Sequence, residues 1–239
     1  MISRIFVPTK LEPKQEIVLD ANISNHLIRV LRLKINNSLI IFNNSAMEFY
    51  CIITAINKHH VTVIIESFTQ CNKESPLQIH LGQGISRGEK MDFTVQKTVE
   101  LGAHTITPLF TEYCNVKLDG ERLKNRLDHW QGIATSATEQ SGRCYVPKIL
   151  AARILENWQV NSDLCLVLDP YATNKLSDIK ARPTSVTILI GPEGGLSDKE
   201  IALAEQKNFI PINLGPRILR TETAALTAIS ILQAKWGDF

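Results

Sequence analysis

Two short glycine-proline stretches are where this chain is best equipped for chemistry: Gly191-Pro192-Glu193-Gly194-Gly195 and Gly215-Pro216-Arg217. Each comes after a short apolar run, residues 186–190 and residues 209–214. Glycine lets a ligand approach the peptide amides, because no Cβ stands in the way. For either stretch alone, a tight turn without a ligand is the plainer reading. The two together point to one small-molecule site. No Gly-Lys-Ser/Thr follows, so neither stretch reads as a phosphate loop. Gly82-x-Gly84 with Gly88 has the wrong spacing for a dinucleotide fingerprint, and no acid stands where a ribose needs one.

The charged groups near these loops have two readings each. Arg143 closes the run Glu139-Gln140-Ser141-Gly142-Arg143, and Arg220 comes just after the second loop. Either guanidinium could stabilise negative charge that develops on a substrate, as an oxyanion hole does. Equally, Arg143 could be a surface residue after a glycine turn, and Arg220 and Glu222 could simply open the last helix. The helix dipole favours Glu222 there and disfavours Arg220. An anionic substrate would give Arg220 a reason to be there. Glu222 either takes a proton or orients Arg220, and Glu193 either closes its own turn or faces positive charge on a ligand. None of the six histidines has H-E-x-x-H or other metal spacing, so no metal is expected.

The elements that must position these groups are legible from pattern. Residues 197–207 form an amphipathic helix opened by the capping box Ser197/Glu200. A helix over residues 221–236, with no charge between Glu222 and Lys235, must be buried in the core or against another subunit. Strands are expected at 77–81, 106–110, 164–169, 186–190 and 209–214, the last two on adjacent positions. Helices are expected at 89–101, ended by Gly102, and at 121–136. This alternation means an α/β fold with a mostly parallel sheet, whose ligands bind at the carboxyl ends of the strands. Residues 1–72 are β-rich instead, with strands near 2–7, 16–19, 39–42, 49–56 and 61–65. One helix is expected over 22–33, with Ile23, Leu27, Val30 and Leu31 inward. The polar, proline-closed CNKESP at 71–76 marks a boundary between residues 1–72 and 73–239.

Bulk numbers narrow the partners. The 239 residues carry a net charge of +2 with 44% hydrophobic content, an ordinary globular balance. No acid lies between Asp20 and Glu48, so His26, Arg29, Arg32 and Lys34 form a basic face, either simply solvated or a phosphate-contacting surface. The five cysteines are scattered, without C-x-x-C, which argues against a disulfide framework or zinc site and suits a reducing cytoplasm. No signal peptide or membrane-spanning apolar run is expected.

IGPEGGLS (190–197) and LGPRILRTETA (214–224) resemble the cofactor loops of the RsmE-like RNA methyltransferases of the SPOUT superfamily. GQGISRGEKMDFTVQKTVELGAHTITPLFTEYC (82–114) and EQSGR (139–143) resemble two more blocks of that family, and HLIRVLRLK (26–34) resembles a block of its N-terminal domain. The resemblance implies a SPOUT-type sheet with a C-terminal trefoil knot, preceded by a small PUA-like RNA-binding barrel, in a cytoplasmic homodimer. It implies S-adenosyl-L-methionine as cofactor and methylation of N3 of a uridine in 16S ribosomal RNA, within the assembled small subunit. On that reading Leu168, Ile190, Gly191, Pro192, Glu193, Gly194, Gly195, Leu214, Gly215, Ile218, Leu219 and Arg220 bind the cofactor. Arg143, Arg220 and Glu222 are the catalytic candidates, and Arg4, His26, Arg29, Arg32 and Lys34 meet RNA. Two departures stand out: Asn36-Asn37 replaces the family's Gly-Asp turn, and the 43–48 turn lacks the family's glycines. A non-catalytic RNA-binding or ribosome-assembly protein is the alternative.

Overall fold

A computed structural model describes residues 2–239. The chain divides into two compact units, residues 1–74 with 138–146, and residues 75–137 with 147–239. A single cut near residue 72 therefore does not capture the return of residues 138–146 to the first unit.

The first unit is built on a five-stranded mixed sheet. Its strands are β1 (Ser3–Phe6), β2 (Glu16–Val18), β3 (Ser38–Phe42), β4 (Met47–Ile56) and β5 (Val61–Gln70), ordered β1-β3-β4-β5-β2. Only the β1–β3 pair is parallel. Alternate residues of β5, Val61, Val63 and Ile65, join Leu39, Ile41 and Ile53 in one core. Phe42 packs instead with Cys71, Cys144 and Val146, so residues 138–146 cover apolar surface that the first core leaves over. Taking apolar area out of water stabilises by roughly 25 cal/mol per Å², and β3, buried at four successive positions, uses partners on both faces. Cys71 and Cys144 are joined as a disulfide, where the scattered spacing predicts none; the two are 73 residues apart and only the returning segment brings them together.

Asp20 caps α1 (Ala21–Asn25) by accepting from the Ile23 amide at 2.8 Å. The next turn, residues 26–30, is wider: the Leu31 amide reaches the His26 carbonyl, five residues back, at 3.0 Å. The extra residue in this turn rotates the chain beyond it. Leu27 stays buried, but Val30 is 65% exposed, against the spacing that places it inward. The Asn36-Asn37 departure keeps its turn. Asn36 takes φ +68, and the Asn37 side chain accepts from the Lys34 amide at 2.8 Å.

The second unit carries β6 (Gln78–Gly84), β7 (Ala103–Phe110), β8 (Lys148–Ile149), β9 (Arg153–Ile154), β10 (Leu164–Leu168), β11 (Ser185–Ile190) and β12 (Ile210–Ile212). The order is β12-β10-β11-β6-β7-β8, with β9 also on β7, and all pairs are parallel. The strands expected to be adjacent, β11 and β12, are separated by β10. Two helices, α2 (Glu89–Glu100) and α5 (Thr221–Trp236), pack together, and Val95, Val99, Ala225, Ile229 and Leu232 enter the core beside Ile188 and Leu81. The other helices are α3 (Gly120–Ser141), whose last residues belong to the first unit, and α4 (Asp198–Gln206). Among the described residues no helix is long and apolar enough to cross a membrane.

His80 on β6 sets a pH limit on this unit. Its Nε2 lies 2.7 Å from Thr107 Oγ1 and its ring stands edge-on to Trp158. Burial, with His104 nearby, pushes its pKa down to about 4. The folded state therefore binds this proton less readily than the unfolded chain, whose histidine titrates near about 6.5. The neutral ring carries no penalty above that value, and stability falls as pH drops from about 6.5 toward 4. The urea midpoint should decline between about pH 7 and 5 by the equivalent of about 1–2 kcal/mol, and His80→Gln should flatten that slope.

Candidate active site

The chain leaves β11 at Ile190 and turns at once. The Gly195 amide donates to the Pro192 carbonyl at 2.9 Å, closing a four-residue turn, and Gly195 sits at φ +75. The turn is packed against the end of β6: a Cβ on Gly84 would lie 2.5 Å from Pro192 Cδ and 2.8 Å from the Gly191 carbonyl carbon. Gly84, part of the discarded dinucleotide pattern, is thus a packing glycine beneath the first loop. Glu193 bonds the backbone around its turn rather than standing free toward the cleft. Burial pushes its carboxyl up, but its own and the Arg87 amide, with Lys90, hold it below the usual range. The Arg87 amide is 3.1 Å away and Lys90 Nζ 3.4 Å.

Beyond the turn, Ser197 caps α4, and Glu200 returns the bond to the Ser197 amide at 2.9 Å. Its other oxygen accepts from the Glu112 amide at 2.9 Å, which ties the loop after β7 to α4. Tyr113 is next in the chain, and a Cβ on Gly194 would come within 2.7 Å of Tyr113 Cβ. The second loop is shaped by Asn213, whose Oδ1 accepts from the Gly215 amide at 3.1 Å. The apolar pattern of residues 209–214 does not single out Asn213, although an Asn just before Leu-Gly-Pro is an Asx-turn signal.

Together the loops and the end of β10 enclose a cleft of about 770 Å³, the size of small-molecule sites. Leu168, Ile190, residues 191–195, Leu214, Gly215, Ile218, Leu219 and Arg220 all line it, which brings together every residue expected at a cofactor. Glu222 lines it too. Pattern reading does not place Lys90, Asp169, Asp198 and Glu205 on the cleft wall, where the fold brings them from separate elements.

The catalytic candidates fall in different units, Arg143 in the first and Arg220 and Glu222 in the second. Arg220 is exposed, at the N-cap of α5, and makes no ion pair among the described residues. It makes no ion pair with Glu222. Glu222 Oε2 is instead buried without a hydrogen-bond partner. Arg143 belongs to the first unit and is 5% exposed, not a surface residue. Its Nη2 and Nε donate to Glu74 Oε2 at 2.7 and 3.1 Å, while Glu74 Oε1 accepts from the Cys144 and Tyr145 amides at 3.0 and 3.1 Å. The charge expected to face a substrate is engaged by this carboxylate.

The basic face also needs one correction. His26, Arg29, Arg32 and Lys34 are at least partly exposed, as expected. Arg4 is not among them. It is nearly buried, salt-bridged to Glu48, donates to the Arg143 carbonyl at 2.9 Å, and lies over the Phe42 ring. An arginine near a chain start is ordinarily solvated; here three internal partners hold it.

A parallel sheet with glycine loops at one edge, in a chain that also carries a mixed β unit, is the make-up of an RNA-modifying methyltransferase class. Residues 73–233 match the family model for the RNA methyltransferase domain, and residues 19–66 match that for the RNA methyltransferase PUA domain. The chain is 42% identical to ribosomal RNA small subunit methyltransferase E of Buchnera aphidicola subsp. Schizaphis graminum, covering 99% of this chain and 98% of that one. Its fold is similar to that of a Neisseria gonorrhoeae ribosomal RNA small subunit methyltransferase E bound to S-adenosyl methionine (37% identity, TM-score 0.91, 100% of both chains). It is also similar to the Legionella pneumophila protein Lpg2936 solved with the cofactor SAM (41%, TM-score 0.97, 100% of both chains). This chain belongs to the ribosomal RNA small subunit methyltransferase E family.

Proposed function

We propose that the chain transfers a methyl group from S-adenosyl-L-methionine to N3 of a uridine in small-subunit 16S ribosomal RNA. The observation that carries this reading is the cleft, where both glycine loops and an arginine without a carboxylate partner meet at the carboxyl edge of a parallel sheet. The cleft suits that cofactor. Leu168, Ile190 and Leu214 offer apolar walls, the loop amides offer donors, and Asp169 and Glu222 offset a positive sulfonium. When bound, the cofactor supplies an electrophilic methyl group. The residues then have two tasks. The loops hold the reactants in line, since positioning supplies most of the rate in such a displacement. Arg220 stabilises the negative charge that appears on the uracil oxygens as N3 loses its proton. Glu222 is the nearby carboxylate suited to receive that proton. Arg143 takes part only by exchanging Glu74 for the substrate.

His26, Arg29, Arg32 and Lys34 are assigned to phosphate contacts on the RNA. Replacing Arg29 and Arg32 by Ala should weaken RNA binding and reduce the slope of log K against log salt by roughly one unit for each phosphate no longer neutralised. Cofactor affinity should hold, and an unchanged slope would return the face to solvent. On the family resemblance, the active form is a homodimer that acts in the cytoplasm on the assembled small subunit. Light scattering tests the dimer. Mass mapping of 16S RNA from a deletion strain tests the whole reading: loss of one methyl from a uridine supports it, and an unaltered map overturns it.

A further inference from the structure

The two halves of the cleft belong to strands that do not touch. The first loop leaves β11 and the second leaves β12, with β10 lying between. No strand ladder joins them directly; β10 pairs with each in turn. Among the described residues, the hydrogen bonds that bridge them run through one buried group of side chains. Thr221, the first residue of α5, donates its hydroxyl to the Gly191 carbonyl at 2.6 Å. Gln83, at the end of β6, donates from Nε2 to Thr221 Oγ1 at 2.9 Å, and the same atom lies 3.4 Å from the Gly191 carbonyl and 3.0 Å from the Gly84 carbonyl. Gln83 is 0% exposed and Thr221 only 6%.

We infer that Gln83 and Thr221 are positioning residues, a buried pin that fixes the separation of the two cofactor loops and the place of Arg220 beside them. The inference rests on the methyltransferase reading. A glutamine in a buried strand has no packing advantage over leucine or methionine. Burying its amide is costly unless the amide is used. Here its two N–H groups serve the Gly84 carbonyl on the strand and Thr221 Oγ1 on the last helix, with the Gly191 carbonyl of the first loop 3.4 Å away. Its Oε1 has no partner, so the side chain is held from the nitrogen side alone. Thr221 does what a cap residue does not. Its hydroxyl points across to the other loop rather than back to its own helix amides. Arg220 is the neighbouring residue, so a slipping Thr221 would carry the guanidinium with it. The Gly191 carbonyl, held inward, in turn fixes the orientation of the peptide that opens the first loop.

The test compares Thr221→Val, which keeps shape and loses the hydroxyl, with Thr221→Ser, which keeps the hydroxyl. The probes are S-adenosylmethionine in calorimetry and full-length 16S RNA in small subunits for turnover. Thr221→Val should raise the cofactor Kd about tenfold, as expected for a buried acceptor left unsatisfied, and should lower kcat more than it changes KM for RNA. Thr221→Ser should recover both to within about threefold. Gln83→Met should mimic Thr221→Val, and the double variant should lose less than the two losses combined, because the pair acts as one unit. If Thr221→Val does not fold, Gln83→Met carries the same measurements. Wild-type cofactor affinity in Gln83→Met or Thr221→Val, or a Thr221→Ser variant as impaired as Thr221→Val, would overturn the pin. A wild-type protein that fails to bind the cofactor at all would instead overturn the underlying function.

Discussion

Arg220→Ala is expected to lower turnover by on the order of a hundred- to a thousandfold while the cofactor Kd stays nearly unchanged. The size comes from its surroundings. An arginine at a helix N-terminus faces the positive end of the dipole, and no carboxylate among the described residues neutralises it. Such a guanidinium is available to an anion and gains one only when substrate charge develops. Arg220→Lys should recover little, because a point charge cannot face two uracil oxygens as a planar fork does. Single-turnover methylation with saturating cofactor is the measurement. A loss confined to KM for the cofactor would move Arg220 from the reaction to the binding wall.

The second large effect concerns Gly191. A Cβ there would lie 2.7 Å from the Gly195 carbonyl carbon and 2.9 Å from the Leu196 amide nitrogen, both backbone atoms that cannot swing aside. Gly191→Ala must therefore open the turn between residues 191 and 195. About 2–3 kcal/mol of displaced backbone corresponds to a roughly thirty- to hundredfold weaker cofactor Kd. Gly132→Ala is the control, since nothing lies within 4 Å of a Cβ at that position in α3. It should leave binding alone. Calorimetry on folded protein decides, and wild-type affinity in Gly191→Ala would remove this loop from the cofactor site.

Much of this site is local, and local features are legible in the sequence. The glycine loops, the Ser197/Glu200 box and the apolar runs before each loop depend on neighbours a few residues away, so composition and period reveal them. Features set by distant partners are not legible in that way. Nothing in the residues of 186–190 and 209–214 says that β10 will lie between them, because strand order depends on packing rather than on pattern. The expectations of Arg4 at RNA, and of Arg143 at a substrate or on the surface, all assume accessible guanidinium groups, because charge alone predicts exposure. Their burial depends on Glu48 and Glu74, 44 and 69 residues away. The phase error at Val30 has a smaller cause: one wide turn, which a regular helical period cannot anticipate.

The return of residues 138–146 bears on the order in which the chain is made. Phe42 and Cys71 leave the ribosome long before Cys144 and Val146, the residues they pack against. Until then a growing chain holding all five strands of the first sheet still presents an uncovered apolar patch, and Glu74 lacks the guanidinium it will bind. A nascent chain halted once residue 74 has emerged should thus be held by chaperones, and one halted once residue 146 has emerged released.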